Sequence, residues 1–223
     1  MATVTTADEL IPQLPSVSAF THFFAKERLN DVAFIDPCSN KLLLRHQLKS
    51  DSLRLAWSLR NLEILGRGSS LQRGDIITLF STTSLYYPTL VLGALAAGTP
   101  IACSSSAQTP AELAHQFTIT RPKFFAVQLQ LLPVFLDTIR LLKIDVQEVK
   151  QRTILICEQN ELPQSVAQQG WGCLCDLLGG GDESWIPENF DGHLSQEVNL
   201  PLFLIFFYTW FSRIGMKDCR SCL

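Results

Sequence analysis

The chain has 223 residues, a formal charge of −3, 47% hydrophobic and 17% charged residues. That apolar content excludes a disordered chain, and the length suffices for one good-sized core, or for one domain and part of another. Mild acidity with no Lys/Arg run excludes a nucleic-acid binder, because nothing is present to neutralise a row of phosphates.

In chain order, the first ten residues, "MATVTTADEL", carry two acids and neither a basic nor an apolar leader segment, so no secretory signal is expected. The seven cysteines are an odd number and are expected to be reduced thiols of an intracellular protein. "VAFID" (Val32–Asp36) reads as a strand. Leu48, Leu55, Ala56, Leu59 and Leu62 then form one apolar face of a helix.

Between Ile76 and Cys103 there is no charged side chain. The stretch has the length of a membrane span, but Ser81, Thr82, Thr83, Ser84, Pro88 and Thr89 interrupt it. It divides better into a strand over Asp75–Phe80, the polar turn "STTS", a helix with Pro88 in its first turn and Gly98 as its stop, and a second strand "TPIAC". Strand, helix and strand within about 30 residues make a βαβ unit, whose strands are covered on both faces and therefore lack both charge and alternation.

Thr109, Pro110 and Glu112 form a capping box that starts a helix near Pro110. "KFFAV" (Lys123–Val127) reads as a strand, "LPVFLDTIRLLKI" as an amphipathic helix after Pro133, and "TILIC" (Thr153–Cys157) as another strand. Residues 158–200 turn to loop chemistry, with "GGGDES", "IPENFDG" and "SQEVN", and are expected to be a loop-rich connector outside the core. "LPLFLIFFYTWF" (Leu200–Phe211) is the most apolar short run, too short to span a bilayer and expected to form a sticky sheet edge. There is no internal repeat. The alternation implies an α/β class: layered βαβ units with a largely parallel sheet.

The order of these pieces resembles the N-terminal part of adenylate-forming (AMP-binding) acyl-CoA synthetases, in the 4-coumarate–CoA ligase-like branch. The carriers are Gly74-Asp75 before a strand, the polar turn, Leu92-Gly93-Ala94-Leu95-Ala96-Ala97-Gly98 closing a helix, Thr109-Pro110-Ala111-Glu112-Leu113, "KFFAV", and "WGCLCDLLGGGDESW". The resemblance covers roughly residues 16 to 206. It implies an incomplete N-terminal domain of the adenylate-forming ligase fold over 1–206, with 158–200 as connector and 207–223 as an atypical tail. The usual Pro-Asn-Ser turn is "STTS" here, and Leu44 stands where a threonine cap is usual.

Such enzymes join a small carboxylic acid to coenzyme A in two steps, through an acyl-adenylate made from Mg-ATP with release of pyrophosphate. Their Ser/Thr/Gly-rich nucleotide loop ends in Pro-Lys-Gly, and its backbone N–H groups cradle phosphates. At that place this chain reads "FYTWFSRIGMKDCRSCL", where Phe207, Tyr208 and Trp210 replace small residues, and Arg213 and Lys217 offer charge without a glycine-rich frame. The tail after Phe206 is expected to come from a changed exon boundary or reading frame. No catalytic, cofactor-binding or metal residue is therefore carried over, and no cofactor is expected to be retained. The expectation is a ligase fragment, inactive alone and prone to self-association or aggregation. The alternatives are a non-catalytic protein pairing through an exposed sheet edge, and a membrane-associated one, though no span is favoured.

Other groups carry weaker chemistry. Cys173 and Cys175, with Cys219 and Cys222, have the residue type of zinc ligands but no coupled spacing, so free thiols are favoured. "GGGDES" lacks a following Lys-Ser/Thr and reads as a connector rather than a phosphate loop. His22, His46, His115 and His193 are far apart, and no G-x-S-x-G elbow exists. Ser221-Cys222-Leu223 departs from a peroxisomal signal by its middle residue, so a cytoplasmic location is expected, with the peroxisome as alternative.

Overall fold

The computed structural model describes residues 19–25, 30–37, 39–158 and 160–188. Four apolar runs, each four or five residues long, become parallel strands: β3 (Ile77–Phe80), β4 (Ile101–Ser104), β5 (Phe124–Gln128) and β6 (Thr153–Ile156). With β7 (Gly172–Cys173) they form a five-stranded sheet in the order β4-β3-β5-β6-β7. Ile77 stands opposite Ile101 on one side and Phe124 on the other, and Leu155 opposite Cys173.

Both faces of this sheet are covered, which is why the strands show no polar alternation. Ile77, Leu79, Phe124, Ala126, Ile154 and Ile156 face a core shared with α2 (Arg45–Arg60), α3 (Tyr86–Ala97) and α8 (Leu174–Gly180). Phe80, Phe125, Val127 and Leu155 face the opposite core, with α4 (Pro110–Thr120), α5 (Leu132–Leu141) and α6 (Val146–Gln151). There Phe117, Phe125 and Phe135 meet edge to face or tilted, with ring centroids 5.1 to 6.1 Å apart.

The helix starts follow local chemistry. Thr109 Oγ1 accepts from the Glu112 N–H while Glu112 accepts from the Thr109 N–H at 2.8 Å, so the expected capping box is present. Those bonds hold the Glu112 carboxyl below its usual range. At α2 a leucine side chain has nothing to accept with, and half a box remains: Gln47 Oε1 accepts from the Leu44 N–H at 3.1 Å. α3 ends at Gly98 with φ +73°, the left-handed stop expected of it. Leu48, Leu55, Ala56 and Leu59 of α2, and Leu62 in the turn that follows it, are all 2% exposed or less, so the buried face is the one that the spacing predicts. α3 is only 12 residues long, and among the described residues no helix is long and apolar enough to cross a membrane.

The structure departs from the sequence reading in three places. The strand over Val32–Asp36 is β1 (Val32–Ile35), and it pairs antiparallel with β2 (Leu42–Leu44) in a separate two-stranded sheet instead of joining the parallel one. The strand expected over Asp75–Phe80 begins at Ile77, because Asp75 Oδ2 accepts from the Gln72 N–H and holds a turn at Gly74, φ +88°.

The third departure concerns the expected connector. Its described part holds α7 (Gln164–Gln168), β7 and α8, and Trp171, Cys173, Leu174 and Leu177 are buried in the cores. β7 is fixed by an arginine: Arg67 lies where a side chain on Gly172 would sit, and reaches Asp176 at 3.0 Å. Ser58 Oγ donates to Leu177 O at 2.6 Å and ties α8 to α2. α1 (Ala19–Phe23) sets Phe23 under the Arg45 guanidinium. The run Leu200–Phe211 and the tail 207–223 lie outside the described residues.

Candidate functional site

Strand order locates the site. β3 leads to α3 on one face of the sheet, while β5 leads to α5 on the other, and these strands are neighbours. Their connections part at the carboxyl ends, and such a switch point in an open α/β sheet leaves a crevice where ligands bind.

The crevice is lined by neutral hydrogen-bonding groups. Ser81 and Thr82 follow β3, and Gln128 ends β5. Gln128 Oε1 accepts from the Thr82 N–H at 2.7 Å and from Thr82 Oγ1 at 2.6 Å, with Ser81 Oγ at 3.4 Å. Ser81 Oγ also donates to Thr82 O at 2.7 Å. The Ser84 hydroxyl is buried in the same turn with no partner among the described residues.

Along the edge toward β4, Ser104 Oγ and Gln108 Nε2 meet Gln116 Oε1 at 3.0 and 3.1 Å, and Gln116 Nε2 donates to Cys103 O at 3.2 Å. Tyr87 donates its hydroxyl to Cys103 Sγ at 3.1 Å. Burial pushes both the Cys103 thiol and the Tyr87 phenol above their ordinary pKa ranges.

Toward β7 lie three sulfurs. Cys157 and Cys173 Sγ are 3.6 Å apart, and the Cys173 and Cys175 thiols both point to Cys157 O, at 3.2 and 3.6 Å. Burial raises the Cys157 thiol, and takes Cys173 up to about 11. Cys157 and Cys173, raised in this way, are protonated at neutral pH and poor as nucleophiles and as metal ligands. Lys41, from the hairpin turn, pairs with Glu158 beside them. Among the described residues no group of three or more His, Cys, Asp or Glu is arranged to hold a metal ion. Binding and orientation through neutral donors and acceptors is what this edge can do chemically.

The residues that the sequence brought forward are dispersed. His46 is exposed in the first turn of α2 and His115 is exposed on α4. Cys173 and Cys175 meet Cys157, while Cys219, Cys222, Arg213, Lys217, His193 and the side chain of His22 lie outside the described residues.

"GGGDES" is a packed crossing over α2. A side chain on Gly181 would come within 2.2 Å of Arg54 O, Glu183 accepts from Ser50 Oγ at 2.6 Å and pairs with Arg54, and Asp182 accepts from Ser184. Just beyond it the chain is held at α3, where Trp185 Nε1 and the Glu188 N–H both donate to Ala96 O. Sequence reasoning missed Gln128, because its partner turn lies 46 residues away and no local pattern marks the pair.

No family model matches the chain. Over 114 residues it is 30% identical to "Probable CoA ligase CCL5" of Humulus lupulus, covering 50% of this chain and 19% of that protein. Over 143 residues it is 23% identical to "4-coumarate--CoA ligase-like 3" of Arabidopsis thaliana, covering 63% and 24%. Among solved structures it resembles the anthranilate CoA ligase AuaEII in complex with anthranoyl-AMP, with a TM-score of 0.59 and 16% identity over 82% of this chain and 31% of that one. The chain spans about a fifth to a quarter of the length of the curated relatives that it matches.

Proposed function

We propose that this chain, kin by sequence to plant CoA ligases and by fold to adenylate-forming enzymes, is a part of an ATP-dependent carboxylic acid–CoA ligase and is inactive alone. The observation that carries the reading is the conjunction of two matches. The sequence similarity to two CoA ligases extends over half or more of the chain, and the fold is that of a ligase solved with an acyl-adenylate.

In the reaction so inferred, a substrate carboxylate oxygen attacks the α-phosphorus of ATP. The bond to pyrophosphate breaks, and the acyl-adenylate then passes its acyl group to the thiol of coenzyme A with loss of AMP. Charge builds on phosphate oxygens in the first step, so catalysis depends on donors and cations fixed around them. Among the described residues the carboxyl edge supplies neutral donors, and its Lys41 is engaged by Glu158. This supports a role in shaping and orienting, with the cationic parts supplied by sequence that the relatives have and this match does not cover.

ATP–pyrophosphate exchange tests both halves of the proposal. The purified chain, given Mg-ATP and benzoate, 4-coumarate or hexanoate, is expected to show background exchange. Addition of the remaining C-terminal part of the Humulus relative as a separate polypeptide is expected to raise exchange about tenfold or more. Exchange by the chain alone would overturn the inactive reading. Failure of the added part to raise it would overturn the ligase reading.

A further inference from the structure

We infer that Gln128 is an anion-recognition residue, presenting its carboxamide nitrogen to a carboxylate or phosphate oxygen of a ligand held at the β3/β5 switch point. The inference begins with the orientation of the amide. A backbone N–H can only donate, so the atom 2.7 Å from the Thr82 nitrogen must be the Gln128 oxygen, whatever the usual ambiguity of amide ends. The Thr82 hydroxyl donates to the same oxygen at 2.6 Å, so both lone pairs are used by one residue. The oxygen is thereby saturated and the side chain locked.

Nε2, with two N–H groups, then has a fixed direction and no partner among the described residues, and it is not among their buried unpartnered atoms. Its two N–H groups lie at the one place on the sheet where the connecting segments part to opposite faces.

The surroundings favour an acceptor of negative charge. The first turn of α3, which leaves the same crevice, contains no acidic residue, and its positive dipole end lies there. The buried Ser84 hydroxyl in that turn is a second donor without a protein partner among the described residues. Glu158, on the neighbouring strand end, is neutralised by Lys41. A carboxylate of an acid substrate and a phosphate of a nucleotide share the chemistry that these donors recognise. The inference relies on the ligase reading for the identity of the anion and not for the recognition itself.

An isosteric variant separates recognition from structure. Gln128→Glu keeps an oxygen to accept from Thr82 but replaces the two outward donors with a second carboxylate oxygen. The chain is titrated with sodium benzoate and, separately, with inorganic pyrophosphate, and the side-chain NH2 signals of Gln128 are followed by 15N NMR. One of the two probes is expected to shift them saturably, and which one does so identifies the carboxylate or the phosphate source. Gln128→Glu is expected to leave the backbone amide spectrum of the free chain and the melting temperature close to wild type, while binding of that probe, followed in both proteins through the backbone amide of Thr82, weakens about tenfold or more. Absence of a shift with both probes would overturn the inference, as would equal affinity in the variant. A shift that persists while the added C-terminal part fails to raise ATP–pyrophosphate exchange would sink the ligase reading and leave Gln128 standing.

Discussion

Gly93 and Leu55 explain one another. Gly93 sits inside α3, where alanine would ordinarily be favoured by about 1 kcal/mol. A methyl group there would meet the Leu55 side chain at 2.7 Å, so the two helices pack at a distance that only a bare backbone permits. Gly93→Ala should therefore destabilise the fold, because overpacking a core costs about 1–3 kcal/mol and outweighs the gain in propensity. A urea titration followed by far-UV circular dichroism measures the sign, and a more stable variant would contradict the packing argument.

Cys173 gives a second test at this scale. Its folded pKa is raised, so the unfolded chain loses the thiol proton first, from about pH 9, and the folded one only near 11. The contribution to stability is complete below pH 9 and lost as the pH rises to 11. Melting temperatures should fall across that window, and Cys173→Ala should flatten the fall relative to wild type.

Among the elements, α4 is held at its start by the reciprocal bonds of Thr109 and Glu112. Thr109→Ala removes the hydroxyl and should cost about 1 kcal/mol, read as a lowered urea midpoint with unchanged slope. This cap was legible in the sequence because a capping box is written within four residues. The same holds for the stop at Gly98 and for the apolar face of α2. The strands β3 to β6 were legible for a different reason: burial on both faces leaves continuous apolar runs between turns.

What was not legible depends on partners far away. β2 has three residues and β7 two, too few to carry a pattern, and each exists because a neighbour holds it, β1 in one case and β6 with Arg67 in the other. The packed crossing at Gly181 and the Thr82–Gln128 lock are likewise contacts between distant segments. Turn chemistry in "GGGDES" suggested looseness, whereas Gly181 admits the close approach of α2 at Arg54.

For the molecule as a whole, sheet order is the feature that matters to function. β3 and β5 as neighbours part their helices to opposite faces, and the polar groups that follow them line the opening. The thiols, the capped turns and the aromatic core are supports for that edge. α2 also has a consequence in time. It is complete once Arg60 is made, yet Ser58 waits for Leu177, and Arg54 for the crossing at Gly181 and Glu183. At a synthesis rate of about 5–20 residues per second, those partners emerge several seconds later. During that interval the side of the helix that faces α8 stays uncovered, and a nascent chain stalled before residue 171 should be held by a chaperone.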